Sequence, residues 1–235
     1  MTVTQLPMPP VPLADPAALF AYPPFEALAP SERVTLTQKA RWHDFRPEDV
    51  LFAQGEEDVP FSYLATGQLK LSSSAARGRE CVLHVLRPNT VVDVGVLFFE
   101  GGLPYSVVAI SQGSLCVFEK SVITGFMHTN VTFAEKLMRL MTARQRLFIN
   151  KLVNSQGRIS VSCRVSSWLL HRSRMEQTDE LYFDMSRELM ARLLGVTRES
   201  LSRELSRLAE LGFIKVNRRC ILLLEKAALQ KLANG

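Results

Sequence analysis

The hydrophobic and polar positions of the 235-residue chain follow different patterns in different segments. Between residues 25 and 120, apolar residues come in short or alternating runs that are separated by turn residues such as Gly, Pro and Asn. The runs lie at residues 50–53, 61–71, 81–86, 107–110 and 114–118. Many short strands at nearly regular spacing are typical of a small antiparallel β-barrel or jelly roll, and we expect that fold here.

A helical pattern replaces the alternation after residue 121. From residue 130 to residue 154 there is no Gly or Pro, and apolar residues recur at spacings of three and four in two adjacent stripes. The first stripe contains Phe133, Leu137, Leu140 and Leu147. The second contains Ala134, Met138, Met141, Phe148 and Leu152, and Gln145 falls within it. One stripe is enough to cover a barrel, so we expect the second to form a coiled-coil seam with another subunit; a helix buried within one monomer is the alternative.

The segment 186–211 reads SRELMARLLGVTRESLSRELSRLAEL and carries the clearest functional motif. Ser186 and Thr197 are suited to cap two helices, and Gly195 is suited to turn the chain between them. A further helix and a short strand are expected just before the motif, at residues 159–174 and 181–185. A helix, a tight glycine turn and a second helix together predict a helix-turn-helix.

The second helix of this motif separates apolar from polar side chains. A leucine stripe predicts one buried face and leaves four polar residues on the opposite, N-terminal face: Arg198, Glu199, Ser202 and Arg203. Arg fits the O6 and N7 atoms of guanine, Glu accepts from cytosine, and Ser suits either role, so these residues are candidates for base contacts in a major groove. An ion-pair ladder on a solvated helix is the alternative.

Phosphate contacts are expected from residues around this helix. Two short apolar runs, 212–216 and 220–224, flank a basic turn and predict a wing. The candidates for holding phosphates are Thr197, Arg192, Arg218 and Arg219.

The net charge of +5 is confined to the C-terminal third of the chain. Residues 1–156 carry 14 Lys and Arg against 14 Asp and Glu, whereas residues 157–235 carry 14 against 9. A basic unit suits a polyanionic partner, because each cation set against a phosphate releases condensed counterions. Motif, wing and charge together predict sequence-specific binding of double-stranded DNA; a winged helix that docks a protein partner is the alternative.

These patterns divide the chain into four predicted segments and give an α+β fold. Seven prolines fall within residues 1–24, which we expect to be an arm without helix or central strand. Residues 25–120 form the barrel, residues 121–156 the long dimerisation helix, and residues 157–235 the winged helix-turn-helix.

The order of these parts and the segment GVTRESLSRELSRL closely resemble the Crp/Fnr family of bacterial transcription regulators. The resemblance covers about residues 25–232 and includes FAQGE at 52–56 and YLATGQLKL at 63–71. It implies a homodimer that pairs through the long helix, reads an inverted-repeat operator, and recruits or blocks RNA polymerase. The recognition helix combines the Arg-Glu-x-x-x-Arg of the cyclic-AMP-responsive branch with the Glu-x-x-Ser-Arg of the oxygen-responsive branch, which predicts a TGA core in each half-site.

The sequence departs from this family at the effector site. The cyclic-nucleotide binders place Gly-Glu-Leu and then Arg-Ser in a phosphate cassette, whereas the nearest segments here are DVGVL at 93–97 and PYS at 104–106. Between Pro88 and Glu119 there is no Lys or Arg, so a phosphate would meet Asp93 and Glu100 instead of a cation. Cyclic AMP is therefore not expected to be the effector.

Other effectors remain open at this stage. The apolar barrel segment could admit haem or a small apolar ligand, and the candidate pocket residues are His84, Val94, Leu97 and Tyr105. His84 would be the axial ligand of a haem, although a lone strand histidine is more often structural. The N-terminal segment has no cysteine, so the iron–sulfur cluster of the oxygen-sensing branch is not expected. A regulator without any small-molecule effector is an equal alternative.

Several classes of protein are not expected. The four histidines are scattered, and no G-x-S-x-G, P-loop or H-E-x-x-H motif occurs, which argues against an enzyme, including a metal-dependent barrel oxygenase. No run of 18 apolar residues is uninterrupted, which argues against a membrane span. The first 16 residues have no basic residue ahead of an apolar core, so we expect no secretory signal and a cytoplasmic location.

Overall fold

The computed structural model describes residues 16–74, 80–155, 160–183, 185–217 and 220–234. The chain forms two compact units that divide between Gln145 and Arg146, within the longest helix. Two parts of the sequence prediction, residues 1–15 of the arm and the wing arginines Arg218 and Arg219, lie outside the described residues.

The N-terminal unit is built on two four-stranded antiparallel sheets. In chain order its strands are β1 (Arg41–Phe45), β2 (Val50–Phe52), β3 (Phe61–Thr66), β4 (Leu69–Ser74), β5 (Glu80–Leu86), β6 (Thr90–Val91), β7 (Ser106–Ala109) and β8 (Gly113–Phe118). One sheet has the order β1-β8-β3-β6 and the other the order β2-β7-β4-β5. The two sheets do not close into one barrel, but the arrangement is that of a jelly roll and confirms the predicted α+β fold with an N-terminal β domain.

Residues 16–45 differ from the sequence prediction. Pro16–Ala21 and Phe25–Ala27 are 3-10 helices, and helix α1 occupies Pro30–Lys39. The expected arm without helix was therefore wrong for residues 16–21. Proline at the first turn of a helix loses no hydrogen bond, since the N–H groups there have no partner within the helix. Strand β1 was also missed, because its residues are mostly polar and exposed.

An aromatic cluster holds the N-terminal segment against the sheet and the long helix. Phe25 is fully buried and lies 5.4 to 6.4 Å, between ring centroids, from four other aromatic rings. These belong to Phe61, Tyr63, Phe118 and Phe133. The cluster joins segments that are far apart in the sequence, so it is a central part of the core of this unit.

Two helices follow β8 where the sequence predicted one long helical region. Helix α2 spans Lys120–Thr129 and helix α3 spans Val131–Ser155. The break falls at Asn130, whose Oδ1 accepts a hydrogen bond of 3.0 Å from the backbone N–H of Phe133. This bond satisfies a free donor in the first turn of α3, so Asn130 sets the start of the helix.

The C-terminal unit is a small α+β domain. Its helices are α4 (Val161–Glu176), α5 (Arg187–Leu194), α6 (Arg198–Glu210) and α7 (Lys226–Asn234), and its strands are β9 (Glu180–Tyr182), β10 (Ile214–Val216) and β11 (Cys220–Leu223). The strands form an antiparallel sheet of order β10-β11-β9. Leucines and isoleucines of the helices and the sheet share one buried core. Among the described residues of the chain, no helix is long and apolar enough to cross a membrane.

Candidate nucleic-acid interface

The helix-turn-helix forms where the sequence predicts it, and its caps are the expected ones. The Ser186 hydroxyl accepts a hydrogen bond of 3.1 Å from the N–H of Leu189 at the start of α5. The Thr197 hydroxyl accepts one of 3.1 Å from the N–H of Ser200 at the start of α6. Gly195 has a φ of +66°, a left-handed conformation that favours glycine and ends α5. Ser186 and Gly195 thus set the two ends of α5, and Thr197 sets the start of α6.

Helix α6 presents a buried apolar face and an exposed polar face. Leu201, Leu205 and Leu208 are almost fully buried in the domain core. The four residues predicted to contact bases are all exposed: Arg198, Glu199, Ser202 and Arg203. The leucines hold the helix on the domain, and the polar side chains of its N-terminal half are free to reach a ligand.

The alternative of an ion-pair ladder is not observed on this polar face. No described residue forms a hydrogen bond or ion pair with the side chain of Arg198, Glu199 or Arg203. Arg207, one turn beyond Arg203, behaves differently: its Nη2 donates to Glu204 Oε1 at 2.8 Å and to Ser162 Oγ at 2.9 Å. The C-terminal part of α6 thus binds its own domain, whereas the N-terminal part has cations and a carboxylate without partners among the described residues.

Two of the predicted phosphate ligands, Arg192 and Thr197, lie in the described part of the helix-turn-helix. Arg192 is exposed on α5 and donates from Nη2 to Glu188 Oε1 at 2.7 Å, an exposed pair of small energetic value. Thr197 is exposed, but its hydroxyl is already used in the α6 cap. Strands β10 and β11 pair as a wing, from Ile214 opposite Leu223 to Val216 opposite Ile221. The described parts of the wing therefore match the prediction.

A groove of about 300 Å³ runs along the side of α6 toward the wing. Its walls are formed by Arg187, Arg198, Leu201, Ser202, Leu205, Ser206, Ala209 and Val216. Sequence reasoning missed Arg187, which is half-buried at the first turn of α5, and burial lowers the pKa of its guanidinium. Its place directly after the cap Ser186 was the available signal. Two arginines in a leucine-floored groove can receive an anionic group such as a phosphate.

Part of the second apolar stripe of α3 is exposed in the single chain. Met138 is 51% exposed and Met141 is 42% exposed, whereas Phe133 and Leu137 of the first stripe are fully buried. Gln145 is exposed, Ala134 and Phe148 are half-buried, and the side chain of Leu152 lies outside the described residues. Exposed Ile149 extends the stripe and was missed by the sequence analysis. Three apolar side chains on this face of α3, those of Met138, Met141 and Ile149, are thus exposed in the single chain.

The predicted effector-pocket residues lie in two places of the N-terminal unit. Val94, Leu97 and Tyr105 belong to the connection between β6 and β7, where Val94 and Tyr105 are buried and Leu97 is half-buried. His84 is half-buried on the edge strand β5, opposite Leu71 of β4. Phe98 and Phe99, in the same connection between β6 and β7, are 57% and 66% exposed.

The part of the chain that the structure describes has few side chains suited to metal binding or to redox chemistry. No cluster of three or more His, Cys, Asp or Glu residues is placed to hold a metal ion there. Burial raises the pKa of Cys116 to about 12, so this thiol is a poor nucleophile. Cys81 is exposed, and Cys163 and Cys220 are buried.

Two parts of the chain match known protein families. Residues 42–130 match the family described as cyclic nucleotide-binding domain, and residues 163–232 match the Crp-like helix-turn-helix domain. The first match covers most of the two-sheet unit, and the second covers α5, α6 and the wing.

Similar proteins share nearly the whole length of the chain. The CRP-like cAMP-activated global transcriptional regulator of Mycobacterium tuberculosis is 24% identical over 214 residues, which cover 89% of this chain and 95% of that protein. The cyclic AMP receptor protein of Thermus thermophilus is 26% identical over 219 residues, covering 91% and 97%. The solved structure of FixK2 from Bradyrhizobium japonicum has a TM-score of 0.71 at 22% identity, covering 82% of this chain and 96% of that one, and shows a common fold.

Proposed function

Because the chain belongs to the Crp/Fnr family of DNA-binding transcription regulators, we propose that it acts as a homodimer on an inverted-repeat operator with a TGA core in each half-site. One observation carries the proposal: Arg198, Glu199, Ser202 and Arg203 are exposed together at the N-terminal end of α6. The N-terminal residues of a recognition helix are the ones that reach base edges in the major groove.

The second apolar stripe of α3 supports pairing of two subunits, because Met138 and Met141 within it are exposed in the single chain. Its members recur at spacings of four and three residues, which is the repeat of a coiled-coil seam. They are Ala134, Met138, Met141, Gln145, Phe148 and Leu152. Two copies paired in this way would present two recognition helices to successive major grooves, about 34 Å apart.

In this proposal the protein acts in the cytoplasm and changes transcription by recruiting or blocking RNA polymerase. None of its residues is given a catalytic role. We do not expect cyclic AMP as the effector, since the segment that corresponds in sequence to the family's phosphate cassette carries the carboxylate of Asp93, which accepts a hydrogen bond from Tyr105. A haem bound through His84 is the second candidate, and an absorption spectrum of freshly purified protein tests it. A Soret band with one haem per chain would support that candidate, and its loss in His84→Ala would assign the ligand.

Replacing Arg203 by Ala tests the base contact. We expect the operator affinity to fall by about 1 to 3 kcal/mol and the base preference to relax at one half-site position, because a guanidinium that binds a base edge is removed. The operator is first selected from a random DNA library, and affinities are then measured by fluorescence anisotropy on all single-base variants.

Arg207→Ala is the matched control, because Arg207 lies one turn further along the same helix and is bound within its own domain. This variant should keep the wild-type base preference. If Arg203→Ala keeps both affinity and preference, the winged helix does not read bases through Arg203. If Arg203→Ala still binds a protein partner, the alternative in which the winged helix docks a protein would be favoured.

The salt dependence of operator binding tests the phosphate contacts independently. With about six to ten phosphates contacted per dimer, the slope of log affinity against log salt should be about −5 to −9, because each contact releases counterions. The measurement is a series of titrations between low and physiological salt. A slope near zero would contradict contact with the DNA backbone.

A further inference from the structure

A partly buried polar cluster connects the long helix α3 to the segment between β6 and β7. Arg144 of α3 donates from Nη2 to the carbonyl of Val91 at 2.7 Å, and from Nη1 to the carbonyl of Val92. The two carbonyls lie at the end of β6, more than 50 residues away in the sequence. A guanidinium can bridge two acceptors because its donors form a planar fork.

Asp93 continues the cluster from the same connection. Its Oδ2 accepts a hydrogen bond of 2.5 Å from the hydroxyl of Tyr105, and its Oδ1 accepts one of 2.7 Å from the N–H of Gly95. Tyr105 is buried just before β7. The cluster thus joins α3, the end of β6 and the start of β7 through hydrogen bonds between groups of the chain itself.

The charges of the cluster are balanced within the chain. Burial lowers the pKa of Arg144, and the nearby Asp93 and Tyr105 act in the opposite direction. Arg keeps its proton in proteins, so its cation faces the carboxylate of Asp93 and the two carbonyls. The expectation that a phosphate in this segment would meet no cation was therefore wrong, because Arg144 reaches the segment from α3. An added phosphodiester would find the guanidinium already engaged and the Asp93 carboxylate beside it.

We propose that Arg144 takes the place of a small-molecule effector and holds the protein in its DNA-binding form without any ligand. The inference rests on the proposed function and deepens it. In the family that the chain resembles, the effector binds at this part of the β domain. Here the side chain of Arg144 binds the connection between β6 and β7. Arg144 is the last residue but one of the N-terminal unit, so the bond fixes α3 directly before the chain enters the second unit.

Arg144→Met tests this role in the full-length protein. We expect operator affinity to fall about tenfold or more, which is a typical size for coupling between two sites. Arg139→Met is the matched control: Arg139 is an exposed arginine of the same helix, and its replacement should change the affinity by less than about twofold. Millimolar cyclic AMP should leave the wild-type affinity unchanged, and a clear increase would overturn the proposal.

A second variant covers the outcome in which Arg144→Met fails to fold, as judged by its circular-dichroism melting curve. Tyr105→Phe removes only the hydroxyl that donates to Asp93, and it should weaken operator binding at least about threefold. A purely structural role predicts lower melting temperatures with unchanged affinity per folded dimer, and that result would overturn the inference. If the wild-type protein binds no DNA in the selection, the proposed function itself fails; if the wild type binds and both variants bind equally well, only the role of Arg144 fails.

Discussion

Replacing Met138 and Met141 together by Glu is expected to convert the dimer into a monomer and to remove tight binding to the complete operator. Both side chains are about half exposed in the single chain and would be covered in the proposed seam. Each carboxylate would lose its hydration without gaining a cation, and the paired helices would bring like charges together. Because joint binding of two half-sites is lost with the dimer, affinity should fall about 100-fold to 10,000-fold.

Analytical ultracentrifugation and operator titration measure the two effects of this change separately. The matched control is Met175→Glu, because Met175 is 71% exposed on α4 and lies outside the predicted seam. The control should remain a dimer with wild-type affinity. A sedimentation coefficient of the double variant that still corresponds to a dimer would show that the seam is misassigned.

Replacing Phe25 by Ala is expected to lower the free energy of unfolding of the N-terminal unit by about 3 to 5 kcal/mol. Phe25 is fully buried and touches four aromatic rings, so truncation leaves a cavity that the surrounding sheet and helix cannot fill. A domain of this size is stable by only about 5 to 15 kcal/mol, so this loss is a large fraction of the total. Urea unfolding followed by circular dichroism measures it.

The control for this prediction is Phe99→Ala, which removes the same ring from a position that is 66% exposed. Its effect should stay within about 0.5 kcal/mol, as for most surface substitutions. An equally small effect of Phe25→Ala would mean that the segment before α1 is not an integral part of the core.

The helix-turn-helix could be predicted closely because its signals are local. The caps Ser186 and Thr197 and the turn at Gly195 act within one or two turns of backbone, and the leucines of α6 recur with the helical period. Such signals depend on residues three or four positions apart, so the sequence alone is sufficient to reveal them. The same reasoning located α3 and separated its buried stripe from its exposed one.

Other features depend on contacts between distant segments of the chain. The spacing of residues within one segment does not predict such contacts. The burial of Phe25 was missed, because it depends on aromatic rings that come from distant strands and from α3. The cation beside Asp93 was missed for a similar reason, since it comes from a different element of the fold.

The amino-acid sequence by itself determined the class of the fold, the position of the recognition helix, and the side chains that this helix exposes. Only the tertiary structure decided that Arg144 binds the carbonyls of Val91 and Val92, and that Arg207 is held within its domain while Arg203 is not. Periodicity specifies which face of an element is apolar, but the partner of a polar side chain depends on which elements the folded chain brings within hydrogen-bonding distance.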